Sequence, residues 1–126
     1  MKNEAYLPEK KIKRILENFL TSQGWKYKDD ELMNHCIDIE AQRGKEKWII
    51  EIKGAETLTP AIVISFVSVL GKILQRMNDQ KCKYSIALPD EKPFRRLWER
   101  LPKLAKSRIQ ITALFVSAEG YVAEEI

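Results

Sequence analysis

Cysteine is scarce in this chain, which excludes a disulfide-stapled scaffold. The two cysteines, Cys36 and Cys82, show no paired spacing and read as free thiols in a reducing compartment. Histidine is scarcer, with His35 alone. A metal-ligating or general-base role is open to it, but alternation places it on the face of Ile37, and a structural position at a strand edge is the reading taken. Long apolar runs are also missing. The longest, residues 60–70, is too short to cross a bilayer and is interrupted by Ser65 and Ser68. Met1-Lys2-Asn3-Glu4 is polar and carries no apolar stretch, so no secretory signal is expected. Low-complexity tracts, internal repeats and linkers are absent from the sequence. The expectation is one cytoplasmic domain spanning residues 1–126.

What is present suits a globular α/β protein. Hydrophobic residues make up 44% of the chain, enough for a real core, and charged residues 32%. A net charge of +4 and a pI near 9.1 lean towards a polyanionic partner. Residues 8–23 predict an amphipathic helix, with Ile12, Ile15, Leu16, Phe19 and Leu20 at helical spacing, Pro8 in the first turn and Gly24 at the stop. Trp25 to Lys28 reads as a short strand. Thr59 and Pro60 predict the start of a second helix, residues 60–78, which is apolar almost all round and so is expected to be buried or at an interface. One polar stripe remains on it: Ser65, Ser68, Lys72, Gln75, Arg76 and Asp79. Tyr84 to Leu88 predicts a buried strand. A third helix begins near Asp90 and Pro93, with Phe94, Leu97, Trp98, Leu101 and Leu104 on its apolar side and an interruption at Pro102. Ile109 to Ser117 and Tyr121 to Glu125 predict two strands around a turn at Glu119-Gly120. The strand–helix–strand step from 47–53 to 84–88 implies a parallel pair, and hence a central mixed sheet with flanking helices.

One segment carries the chemistry. His35 to Gln42 and Lys47 to Gly54 form two alternating runs around Arg43-Gly44-Lys45-Glu46. Ile37, Ile39 and Ala41 share one face, and Cys36, Asp38, Glu40 and Gln42 the other. A turn centred on Gly44-Lys45 pairs Ile39 with Ile50 and Ala41 with Trp48. That register sets Asp38 opposite Glu51, with Lys53 two residues further along. Like charges directly opposed across a sheet are unfavourable. A divalent cation would turn the conflict into a ligand set.

This pattern resembles the PD-(D/E)xK nuclease superfamily, with its restriction-endonuclease-like fold. The matching residues are Ile37-Asp38 and Glu51-Ile52-Lys53, with twelve residues between Asp38 and Glu51. More narrowly, the chain resembles the element-excision-controlling factors and their Holliday-junction-resolvase-like relatives. The shared features are a helix ending at Gly24-Trp25, Ile37-Asp38-Ile39, Glu51-Ile52-Lys53, Ser65-Phe66 followed by Leu70-Gly71, and Ala87-Leu88-Pro89 after a strand. It departs from the superfamily's name in having Ile37 where proline stands. It departs again in the second helix, where Lys72, Gln75 and Arg76 occupy the region in which many relatives carry a glutamine and an aromatic. The resemblance implies a Mg²⁺-dependent DNA endonuclease, with Mn²⁺ as a substitute, or an accessory nuclease subunit in recombination or mobile-element processing. Asp38, Glu51 and the carbonyl of Ile52 would hold the metal, and Asp38, Glu51 and Lys53 would be catalytic. The implied partners are DNA and either a second copy or a small partner protein, with no membrane.

Each feature also has a plainer reading. Glu51, Lys53 and Asp38 could form a surface salt cluster of little consequence. Glu40 reads as a solvated neighbour of the acidic pair more readily than as a ligand. An acidic residue of the first helix joins the site in some relatives; here Glu9 flanks the apolar stripe and Glu17 points away from it, and neither is assigned to the site. Ser65, Ser68, Lys72, Gln75 and Arg76 fit phosphate contacts as well as they fit the wet edge of a buried helix. Arg95, Arg96, Arg100, Lys103, Lys106 and Arg108 read as a solvated helix face. Trp25, Trp48, Phe94 and Trp98 read as core. The alternative to a nuclease is a catalytically inactive protein of the same fold that binds DNA or another protein.

Overall fold

The computed structural model describes residues 7–28, 37–55 and 61–126. His35, Cys36, Thr59 and Pro60 lie outside the described residues. In chain order the elements are α1 (Glu9–Ser22), β1 (Lys26–Tyr27), β2 (Ile39–Arg43), β3 (Glu46–Ile52), α2 (Ala61–Arg76), β4 (Lys83–Pro89), α3 (Lys92–Arg100), α4 (Lys103–Ile109), β5 (Ile111–Val116) and β6 (Val122–Glu125). The strands form one six-stranded sheet in the order β1-β2-β3-β4-β5-β6. β3, β4 and β5 run parallel, and the outer pairings are antiparallel. This is the mixed α/β architecture that the order of patterns predicts.

The hairpin closes in the expected register, with Ile39 opposite Ile50 and Ala41 opposite Trp48. Gly44 supplies the reason. Its φ of 62° lies in the region glycine occupies without steric cost, and a glycine first in a two-residue turn matches the right-handed twist of the strands.

Helices cover both faces of the sheet. On one face Ile12, Leu16 and Leu20 of α1 bury completely against Ile39, Trp48, Ile50, Ile52, Ala87 and Leu114. Spacing of four residues keeps those three side chains on one stripe. The chain leaves α1 through Gly24, whose φ is 87°, and Trp25 N–H bonds back to the Leu20 carbonyl at 2.9 Å. On the other face Phe66, Val69 and Ile73 of α2, with Phe94 and Trp98 of α3, pack on Ile49, Ile86, Leu88 and Phe115. Covered on both sides, the parallel strand β4 buries every residue from Tyr84 to Pro89, which is why it reads as a continuous apolar run. Its fully buried serine, Ser85, accepts from Trp48 Nε1 at 2.8 Å and lies 2.6 Å from the Thr112 hydroxyl. Trp25, Trp48, Phe94 and Trp98 are all core.

Three details differ from expectation. Ile37 packs with Ile49 and the α2–α3 side, not on the face of Ile39, because the chain bends at Asp38 before β2 begins and strict alternation does not extend through a bend. Leu104 is exposed, because Pro102 separates α3 from α4 and the stripe loses its phase there. The second helix is not buried all round, since its face opposite the sheet presents large aliphatic side chains to solvent. Among the described residues, no helix is long and apolar enough to cross a membrane.

Candidate active site

Asp38 stands at the bend before β2, Glu51 on β3, and Lys53 immediately after β3. The hairpin register brings the two carboxylates together. The Asp38 amide donates to Glu51 Oε2 at 3.4 Å, and the Ile52 amide donates to Asp38 Oδ2 at 2.8 Å. Each acid is therefore fixed by the backbone that carries the other. The Ile52 amide orients Asp38, while the carbonyl of the same residue is the atom that the resemblance assigns to a metal.

Glu51 is the unusual member. It is 1% exposed, and its Oε1 is buried without a hydrogen-bond partner among the described residues. Burial, reinforced by the charge of Asp38, pushes its carboxyl up from 4.5 to about 7, and Arg76 partly offsets the rise. A buried carboxylate oxygen without a donor is costly. A hard divalent cation is one group that would satisfy it, so the donor set fits Mg²⁺. Among the described residues no third Asp, Glu, His or Cys joins the pair as a metal cluster. Two carboxylates and a carbonyl leave several positions for water, which Mg²⁺ prefers to keep.

Two basic residues border the acids. Lys53 is 31% exposed, and its Nζ lies 3.6 Å from Glu9 Oε2 at the start of α1. The first-helix acid singled out in the sequence thus meets the lysine and not the carboxylate pair. Arg76, at the end of α2, places Nε 3.4 Å from Glu51 Oε2. In the sequence Arg76 appears as part of a stripe facing phosphates. In the fold it occupies the inner edge of that stripe, while Ser68, Lys72 and Gln75 are exposed and Ser65 is half-buried. The spacing could not reveal the Arg76–Glu51 pair, because the pair depends on how α2 docks over β3. Glu40 shares the strand face but pairs with Lys28 at 3.3 Å. Among the distal basic residues, Arg95 pairs with Asp90 and Glu125, and Lys106 lies over the Trp98 ring. Both serve local packing.

The Arg76 contact has a measurable consequence. Its charge and its hydrogen bond both hold the Glu51 carboxyl down. Arg76→Gln is therefore expected to move that carboxyl further above about 7, as followed by carbon-detected NMR titration of the metal-free protein. An unchanged or lower value would show that the guanidinium does not act on Glu51.

No known family profile matches the chain, and no curated protein matches it. Solved structures do. An XisH family protein from Nostoc punctiforme aligns with a TM-score of 0.65 at 20% identity, over 91% of this chain and 98% of that one. An fdxN element excision controlling factor protein from Anabaena variabilis aligns with the same score and identity, over 91% of this chain and 97% of that one. At this identity the likeness establishes a shared fold over nearly the whole of each chain.

Proposed function

We propose that this protein is a Mg²⁺-dependent DNA endonuclease of the PD-(D/E)xK type, acting in recombination or the excision of a mobile element. The observation that carries the reading is the buried Oε1 of Glu51, without a hydrogen-bond partner among the described residues, beside Asp38 and near the end of β3, which Lys53 follows. Asp38, Glu51 and the Ile52 carbonyl would hold the cation, with Mn²⁺ able to replace it. When bound, such a cation polarises a phosphodiester and lowers the pKa of water. The protein's own groups then have distinct tasks. The Ile52 amide keeps Asp38 in position. Lys53, a compact point charge, offsets negative charge that develops on the phosphate, and Glu9 holds it at the edge of the site. Ser68, Lys72 and Gln75 are exposed along α2 and suit the neighbouring phosphates. The excision role draws support from one structural neighbour, which is an fdxN element excision controlling factor protein.

A second reading has one observation in its favour. Arg76 already balances Glu51 without a metal, as it would in a protein that kept the fold but lost the chemistry and binds DNA or a protein partner. Cation binding separates the two. In the first reading, Mg²⁺ at roughly 100 times its dissociation constant adds about 3 kcal/mol of stability, a rise in melting temperature on the order of 8 °C. That rise is absent in Asp38→Ala. In the second reading neither protein responds, and DNA binding survives Asp38→Ala.

A further inference from the structure

The first turns of α1 carry charge that weakens the helix. Four of the six residues from Glu9 to Arg14 are cationic: Lys10, Lys11, Lys13 and Arg14. The peptide dipole makes a helix N-terminus positive, so acids stabilise the first turn and bases the last. In α1 the bases crowd the start, and the last turn has none. The four also repel one another. Lys10 and Lys13, and Lys11 and Arg14, stand three residues apart, and Lys10 and Arg14 four, the spacings at which like charges on a helix destabilise it. One acid, Glu17, lies within the arc they span.

The rest of the described fold does not neutralise them. Lys10, Lys11 and Arg14 are exposed and Lys13 is half-buried. Among the described residues none of the four forms an ion pair with a carboxylate. Glu9, the acid of the first turn, is turned towards Lys53 at 3.6 Å. That contact, with the Ala55 amide on the Leu7 carbonyl at 2.9 Å, ties the start of α1 to the end of β3. The cationic face therefore begins one residue from a side chain that meets the catalytic lysine. It lies on the opposite side of the sheet from α2.

We propose that the outer face of α1 holds duplex DNA by its phosphates, beside the candidate site. Charge complementarity selects a polyanion: a phosphate backbone relieves the repulsion among the four cations and releases its own condensed counterions on docking. Two features select a duplex over a single strand. At 100° per residue the four cations fan across about 160° of the helix, so they face a broad surface and not one line of phosphates. Single-strand surfaces set aromatic side chains among the cations for bases to stack on. The one aromatic of α1, Phe19, packs against the core instead. Contacts of this kind position a duplex without reading its bases. The inference rests on the proposed function for the identity of the polyanion, and not for the metal or the cleavage chemistry.

Fluorescence anisotropy of a labelled duplex of about 20 base pairs, and of one of its strands, without divalent cation, tests it. Wild type binds the duplex at least about threefold more tightly than the strand, and both weaken steeply with salt. Combining Lys10→Gln, Lys11→Gln, Lys13→Gln and Arg14→Gln weakens duplex binding at least about tenfold and lowers the salt slope by about 3. Lys10→Gln with Arg14→Gln gives an intermediate loss. Combining Lys92→Gln, Arg96→Gln, Arg100→Gln and Lys103→Gln removes the same charge from α3 and α4 and changes affinity less than about threefold. The fourfold α1 variant melts no lower than wild type, because its repulsion is gone; a structural role for the four cations would lower its melting temperature. Binding is read without metal, so a failure of the active-site reading leaves this test intact. The Mg²⁺-induced rise in melting temperature, unchanged in the α1 variant, reports on that reading separately. The inference is overturned by a wild type that binds no duplex or prefers the strand, by an α1 variant of wild-type affinity or lower stability, or by an equal loss in the α3–α4 variant.

Discussion

Glu51→Gln is expected to make the protein more stable at pH 8 and to abolish DNA cleavage. The folded carboxyl titrates near 7 and the unfolded one near 4.5. A carboxyl raised in the folded state stabilises the fold only while it is protonated. Its contribution is complete below about 4.5 and disappears as the pH climbs through about 7. At pH 8 the wild type carries a buried anion whose ionisation costs about 3 kcal/mol, a figure in which the offset by Arg76 is already included. Glutamine fills the same space without the charge. The melting temperature of Glu51→Gln at pH 8 should therefore exceed that of wild type by several degrees, on the order of 5–10 °C, and the gap should close toward pH 4.5. Cleavage should fall to background, because a neutral amide is a poor ligand for Mg²⁺. Scanning calorimetry at the two pH values checks the first half of the prediction. A variant less stable than wild type at pH 8 would show that Glu51 is a structural anion and that its buried Oε1 has no functional meaning.

The second large effect lies next to the lysine. A Cβ on Gly54 would stand 2.5 Å from the Glu9 amide nitrogen, 2.7 Å from the Leu7 carbonyl oxygen and 2.7 Å from the Pro8 carbonyl carbon. All three are backbone atoms, which cannot swing aside as a side chain can. The same two segments are joined by the Ala55 amide donating to the Leu7 carbonyl at 2.9 Å. Gly54→Ala must push the start of α1 away from the strand end. It is expected to cost about 3 kcal/mol, a fall in melting temperature on the order of 10 °C. It should also displace Glu9 and so loosen Lys53, lowering activity in whatever fraction stays folded. Thermal unfolding together with single-turnover cleavage by Gly54→Ala checks both parts. Wild-type stability would mean that the two segments separate freely.

Much of this architecture is legible in the order of the amino acids. The hairpin register follows from alternation on both strands and from a glycine where the turn needs one, so the Asp38–Glu51 meeting is visible at once. The buried run of β4 and the four-residue spacing of α1 are equally plain. What is not legible depends on tertiary placement. Arg76 reads as one of several polar positions on a helix wheel, and only the docking of α2 turns it toward Glu51. The role of Gly54 requires knowing that residues 7–9 pass across it. The apolar residues of α2 predict burial or an interface without saying which residues do which, and in the fold Val63, Ile64, Val67 and Leu74 face solvent. Composition records how much apolar surface a helix has, and not how much of it the rest of the chain covers.

The most direct test of the central claim is cleavage of linear duplex, single-stranded, nicked and four-way-junction DNA in Mg²⁺ and in Mn²⁺. Wild type, Glu51→Ala and Lys53→Ala, purified identically, are compared on every substrate. The account predicts metal-dependent cutting of at least one substrate by wild type and none by either variant. Equal cutting by all three proteins would contradict it. So would the absence of cutting together with metal-independent DNA binding unchanged by the substitutions, which would identify a binding module that kept the fold.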